Sequence, residues 1–188
     1  MRIIVISSKT NSLIMCALFA SLVAIGAFIQ VPVPFMDYFT LQFLFVVLAG
    51  LILGPSKGAV SVGIYVLMGL CGLPIFAAGG GLTYIVKPSF GFLLGFILAA
   101  WVAGLVSNKL KEYTYKNMLM ASFAALITVY TVGIIYKYFI LNYYISTKVA
   151  WSVLLISCFP VDIPGDILLC ILGAYLAKRL NTIVRFSK

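Results

Sequence analysis

Histidine is absent from this 188-residue chain, and aspartate and glutamate together supply only four residues. Without imidazole there is no histidine-based acid–base catalysis, haem ligation through histidine or imidazole metal site. The four cysteines (Cys16, Cys71, Cys158 and Cys170) lie in apolar stretches with no CxxC spacing and read as small buried hydrophobes. No metal and no cofactor is expected. Charge as a whole is scarce: 9% of residues are charged and 64% are hydrophobic, whereas a soluble domain carries about a quarter charged residues. The composition excludes a soluble globular domain and makes the chain an integral membrane protein. The formal charge of +9 does not point to nucleic acid, because the lysines and arginines flank apolar runs and form no patch with interleaved stacking aromatics.

What the chain has is long apolar runs. A helix that crosses a bilayer needs about 20 such residues, or somewhat fewer where its flanks snorkel. Six runs qualify: 12–31, stopped by Pro32 and Pro34; 39–53, ended by Gly54-Pro55-Ser56-Lys57-Gly58; 59–73; 90–107; 118–141; and 151–177, broken near its start by Pro160 and Pro164. Phe35-Met36-Asp37-Tyr38 reads as a loop, as does 108–117. The runs 39–53 and 59–73 are short and are expected to tilt, bend or stop short of a full crossing. Ser12–Val31 is free of charge for 20 residues, longer than the apolar core of a secretory signal at about 7–15, so it is expected to be retained as the first span. The expectation is one membrane domain over 1–188, an all-α bundle of six transmembrane helices.

Lysine and arginine placement orients this bundle. With six spans, one side receives Arg2, Lys9, Lys57, Lys109, Lys111, Lys116, Lys178, Arg179, Arg185 and Lys188, and the other receives Lys87, Lys137 and Lys148. Ten against three of thirteen puts both termini in the cytoplasm of a cell-membrane protein.

The stretch from Leu73 to Phe96, LPIFAAGGGLTYIVKPSFGFLLGF, interrupts the helical pattern. Three consecutive glycines, Gly79, Gly80 and Gly81, forfeit helical stability of about 1 kcal/mol each relative to alanine. Pro88 also pushes Lys87 out of the helical region. Irregular backbone at membrane depth is tolerated where it is buried in protein or lines a wet cavity. Ionisable groups within spans are functional candidates by default. Besides Lys87 these are Asp162 and Asp166, four residues apart and so on one face if that stretch is helical. Lys137, near the end of its span, reads as a residue that snorkels to the interface. Because successive spans alternate in direction, the starts of spans 2, 4 and 6 share the outer side. Gln42, Tyr84, Lys87, Asp162 and Asp166 then converge at similar depth around a glycine wall of Gly80 and Gly81, as an outward-facing small-ligand site. The competing reading is a structural ion pair between Lys87 and an aspartate. An intramembrane aspartyl protease is a weaker alternative, since no GxGD motif is present.

Within the first span Ala17, Ala20, Ala24 and Ala27 recur at steps of three and four. A face of small residues permits close helix approach in lipid. It serves either another membrane subunit or a contact inside the bundle.

From Leu48 to Gly104 the chain strongly resembles the BioY family. The residues that carry the likeness are Gly54-Pro55, Gly72-Leu73-Pro74-Ile75-Phe76, the glycine cluster, Lys87-Pro88, Gly91 through Phe96 and, further on, Pro164-Gly165-Asp166. One departure is that a lysine common in the family shortly after Pro-Gly-Asp is replaced here by Ile167-Leu168-Leu169-Cys170. The resemblance implies a six-helix substrate-binding (S) component of an energy-coupling factor transporter that binds biotin from outside. Such a component docks on a transmembrane coupling (T) subunit carrying two cytoplasmic ATPases. It also implies that the small face of the first span is the docking face. The chain has no GxxxxGK[ST] phosphate loop and supplies no ATPase. Lys87 would then partner the biotin carboxylate or ureido oxygen, and Asp166 or Asp162 the ureido N–H groups, with Gln42 and Tyr84 able to do either. An S component for another vitamin and a membrane-embedded enzyme using Asp162 and Asp166 are the alternatives.

Overall fold

The computed structural model describes residues 9–31, 39–158 and 162–183. The elements run α1 (Lys9–Phe28), β1 (Gln30–Val31), β2 (Phe39–Thr40), α2 (Gln42–Leu53), α3 (Pro55–Leu70), a 3-10 helix (Leu82–Val86), α4 (Phe90–Leu110), α5 (Tyr115–Phe139), α6 (Trp151–Cys158) and α7 (Asp162–Ile183). A π-helical turn, Ile140–Tyr144, extends α5. Among the described residues three helices are long and apolar enough to cross a membrane: Lys9–Phe28, Phe90–Leu110 and Tyr115–Tyr144. At 12 and 16 residues, α2 and α3 are shorter than a bilayer core requires when upright.

Several boundaries differ from the sequence expectation, each for a local reason. The turn expected at 54–58 reduces to Gly54 alone (φ +82°). Pro55 opens α3 as its first residue, where its missing N–H costs nothing. The loop expected over 108–117 shrinks from both sides, because α4 continues to Leu110 and Thr114 caps α5 by accepting from the Asn117 N–H at 3.4 Å. The run 151–177 is two helices, α6 and α7. Pro164 sits in the first turn of α7, where proline is tolerated. Helix α1 closes at Phe28, and Gln30–Val31 pairs antiparallel with Phe39–Thr40, so the second run starts as a strand rather than a helix. The proposed stops at Pro32, Pro34 and Pro160, the loop 35–38 and the residues Arg2, Arg185 and Lys188 lie outside the described residues.

Helix α2 is the hub, packed against α1, α3, α4 and α7, with every residue from Gln42 to Leu51 except Phe45 buried. In lipid, packing rather than apolar transfer holds helices together, so close approach at small residues carries the fold. Gly50 of α2 lies directly against the Ala100 carbonyl of α4, where even a Cβ would overlap backbone. Gly104 of α4 meets Gly54 and Pro55 in the same way, and Gly133 of α5 accepts the Phe92 ring of α4. Two buried serine hydroxyls are returned to carbonyls: Ser61 donates to Cys16 O at 2.7 Å across α3 and α1, and Ser122 to Met118 O at 2.9 Å within α5.

Between α3 and α4 the glycine-rich stretch forms a tight loop. Phe76 bridges Gly79, and the Gly81 N–H donates to Gly69 O at 2.7 Å with Gly81 at φ +94°. The Phe76 ring anchors the loop, sitting on Gly69 between Tyr65 (centroids 5.5 Å) and Tyr84 (4.6 Å).

Candidate functional site

Directly beneath that loop lies a cavity of about 100 Å³. Its wall is drawn from β2 and the start of α2 (Phe39, Thr40, Gln42, Phe43), the loop (Ala77, Ala78, Tyr84), the start of α4 (Ser89, Phe92, Leu93, Phe96), the later half of α5 (Val129, Tyr130, Lys137) and the first turns of α7 (Asp162, Asp166). It is an aromatic chamber with a few polar groups, the usual form of a small-ligand site.

Two polar constructions stand in this wall. The first joins α5 to α7: the Tyr130 hydroxyl donates to Asp166 Oδ2 at 2.8 Å, with Asp166 9% exposed. Tyr130 is itself set edge-on against Phe92 at 6.1 Å. The second is a relay. Thr40 Oγ1 donates to Gln42 Oε1 (3.1 Å), Gln42 Nε2 to the Tyr65 hydroxyl (2.6 Å), and that hydroxyl to Ile75 O (3.1 Å). Gln42 is 3% and Tyr65 0% exposed, so this relay fixes the amide from within the protein and ties β2, α2 and α3 to the loop.

Four residues singled out from sequence, Gln42, Tyr84, Asp162 and Asp166, thus meet on one wall. Asp162 and Asp166 both belong to helical α7, and their spacing of four puts them on one face. Lys87 is elsewhere. Its Nζ donates to the Ala78 carbonyl at 2.9 Å and lies 4.7 Å from the centroid of the Tyr84 ring, outside the cavity wall. Gly80 and Gly81 are also off the wall. The close approach that Gly80 permits is to the chain's own Leu73 carbonyl, and Gly81 closes the loop onto α3. Lys87 and Asp166 form no ion pair, since Lys87 donates to the Ala78 carbonyl and Asp166 accepts from Tyr130.

Sequence reasoning missed Tyr130 and set Lys137 aside, yet both line the cavity. Tyr130 is one of eleven tyrosines and had nothing local to mark it. The available signal was the spacing of Tyr130 and Lys137, seven residues or two turns apart on one face of α5.

The alanines of α1 divide. Ala20 and Ala27 are each 1% exposed, buried within this chain's own core, while Ala17 is exposed and Ala24 half-buried. The four do not form one outward face: Ala20 and Ala27 serve the internal contact.

Known proteins supply an independent comparison. The chain is 42% identical over 180 residues to "Probable biotin transporter BioY" of Lysinibacillus sphaericus, covering 96% of this chain and 91% of that one. It is 35% identical over 173 residues to "Biotin transporter BioY" of Thermotoga maritima, covering 91% and 96%. The fold superposes with a TM-score of 0.73, at 30% identity over 93% of this chain and 92% of the other, on a crystal structure of the S-component for biotin from an ECF-type ABC transporter. With the BioY family model also matching residues 2–186, the chain belongs to the BioY family.

Proposed function

We propose that this chain is the biotin-binding S component of an energy-coupling factor transporter, with the cavity beneath the glycine loop as its biotin site. The observation that carries the reading is the Asp166 carboxylate, held by Tyr130 in the wall of an aromatic-rich chamber. An ionised carboxylate only accepts hydrogen bonds. Tyr130 uses one of its oxygens, and the remaining acceptor capacity suits the paired N–H groups of a ureido ring. The Gln42 amide, oriented by the relay, offers a second amide hydrogen to the ureido oxygen. The apolar thioether ring packs on Phe43, Phe92 and Phe96. Tyr84 borders the ligand from the loop side. Lys87, Gly80 and Gly81 act through the loop, by holding Ala77 and Ala78 against the chamber.

In this reading the helices make six spans, with α6 and α7 sharing the last. Lys57 Nζ donates to Ser12 Oγ at 2.8 Å, which brings the starts of α1 and α3 to one end of the bundle. Lys9, Lys57, Lys109, Lys111 and Lys116 gather at that end, which we take as cytoplasmic. The cavity then opens outward. Release of biotin inward is driven by a T subunit and two ATPases, with exposed Ala17 and neighbouring Ala24 on α1 as the docking strip. Ala17→Leu is expected to spare biotin binding and abolish ATP-driven uptake when the chain is co-expressed with such a module. Uptake at the wild-type rate would remove the docking strip from the account.

A further inference from the structure

We propose that Lys137 reads the ligand's carboxylate, so that biotin stands with its ring system at Asp166 and its acid tail toward the outer end of α5. The proposal rests on the biotin reading above and adds to it a charge-recognising residue and an orientation.

Among the described residues that line the cavity, Lys137 is the one cation. Lys87 instead holds Ala78 and covers Tyr84 from outside the wall. Tyr130 and Lys137 share a face of α5 and are separated by about 10 Å along the axis at 1.5 Å per residue. Tyr130 marks the level of Asp166. The distance between the two levels suits a bicyclic head with a five-carbon acid tail.

The rotation of α5 at this point is fixed by the residues on either side. Tyr136 donates its hydroxyl to Ile85 O, in the 3-10 helix above the cavity, and sets its ring against Phe90 at 5.8 Å. Tyr138 stacks flat on Trp151 of α6, at 4.0 Å and 11°. Successive helical side chains point about 100° apart, so Lys137 is aimed between those two anchors, into the chamber.

Charge then selects the orientation. A ligand carboxylate placed beside Asp166 would meet a like charge in a low-dielectric site. Placed beside Lys137, it gains a charge-assisted hydrogen bond. Asp162 lies one turn outward of Asp166 on α7 and also lines the wall, so it is the group that competes with the ligand for Lys137.

The test measures equilibrium binding of biotin and of its neutral primary amide to the purified full chain. Wild type is expected to bind the amide about 10- to 100-fold more weakly, the effect of one charged hydrogen bond. Lys137→Met is expected to lower biotin affinity to near that of the amide while leaving amide affinity nearly unchanged. Lys87→Met is expected to weaken both ligands by the same factor. If Lys137 only screens Asp162, its loss has no effect in an Asp162→Asn background; the proposal expects the biotin-specific loss to persist there. Equal wild-type affinity for the two ligands overturns the proposal, whether or not the variants fold, and leaves the biotin reading standing. So does a Lys137→Met loss common to both ligands. Wild type that binds neither overturns the biotin reading itself.

Discussion

The hydroxyl of Tyr130 decides how the carboxylate of Asp166 is presented. By donating to Oδ2 at 2.8 Å it fixes the plane of the acid and links α5 to α7 at the level of the cavity. Tyr130→Phe removes that link without changing the cavity's shape and is expected to weaken biotin by about 1 kcal/mol, a single neutral-donor hydrogen bond, in a calorimetric titration. Gln42 is fixed differently, from behind, by the buried Tyr65 hydroxyl. Tyr65→Phe would strand the amide N–H and the Ile75 carbonyl in an apolar interior. The expected loss is about 1–3 kcal/mol of stability, the desolvation cost of an unpaired buried group. Thermal unfolding in detergent measures it, and an unchanged midpoint would contradict the relay. Lys87 shows why a lone membrane lysine is an ambiguous signal. Its sequence position made it a ligand candidate, but the Ala78 carbonyl and the Tyr84 face take its charge.

At the scale of elements the account turns on small residues and on where helices begin. Periodicity and length placed α1, α4 and α5 within a few residues, because long apolar runs have few other ways to satisfy their backbone in lipid. It was weaker at starts and stops. Pro55 and Pro164 looked like breakers, yet each occupies a first turn, and only the three-dimensional chain distinguishes a proline that ends a helix from one that opens it. The convergence of Gln42, Tyr84, Asp162 and Asp166 was legible from strict alternation of direction. Lys137 was not, because a lysine near a span end has the same local sequence whether it snorkels or faces inward; its neighbours' partners on α4 and α6 decide. The alanines of α1 were similarly two-sided: a step of three and four locates a face but not what covers it. Gly50 supplies the test at this scale. Gly50→Ala drives a Cβ onto the Ala100 carbonyl, backbone that cannot swing aside. The variant is expected to lose most of its monodisperse peak on size-exclusion chromatography, and a wild-type profile would contradict the α2–α4 packing.

The whole molecule is a bundle with two unlike ends. One carries most of the lysines and the Lys57–Ser12 tie between α1 and α3. The other carries the glycine loop and the aromatic chamber. The proposed orientation puts the second end outside the cell, and Cys71, exposed just after α3, reports on it. With the other three cysteines replaced by alanine, a membrane-impermeant maleimide is expected to label Cys71 on intact cells. Labelling that requires permeabilisation would invert the topology. The central claim is that this chamber binds biotin through Asp166, and the most direct measurement is isothermal titration of biotin into the purified full-length chain, wild type beside Asp166→Asn. The account predicts stoichiometric, one-to-one binding to wild type and a loss of about 10- to 100-fold in the variant, with its fold retained. Wild type that shows no heat of binding, or a folded Asp166→Asn chain that binds biotin as tightly as wild type, would contradict it.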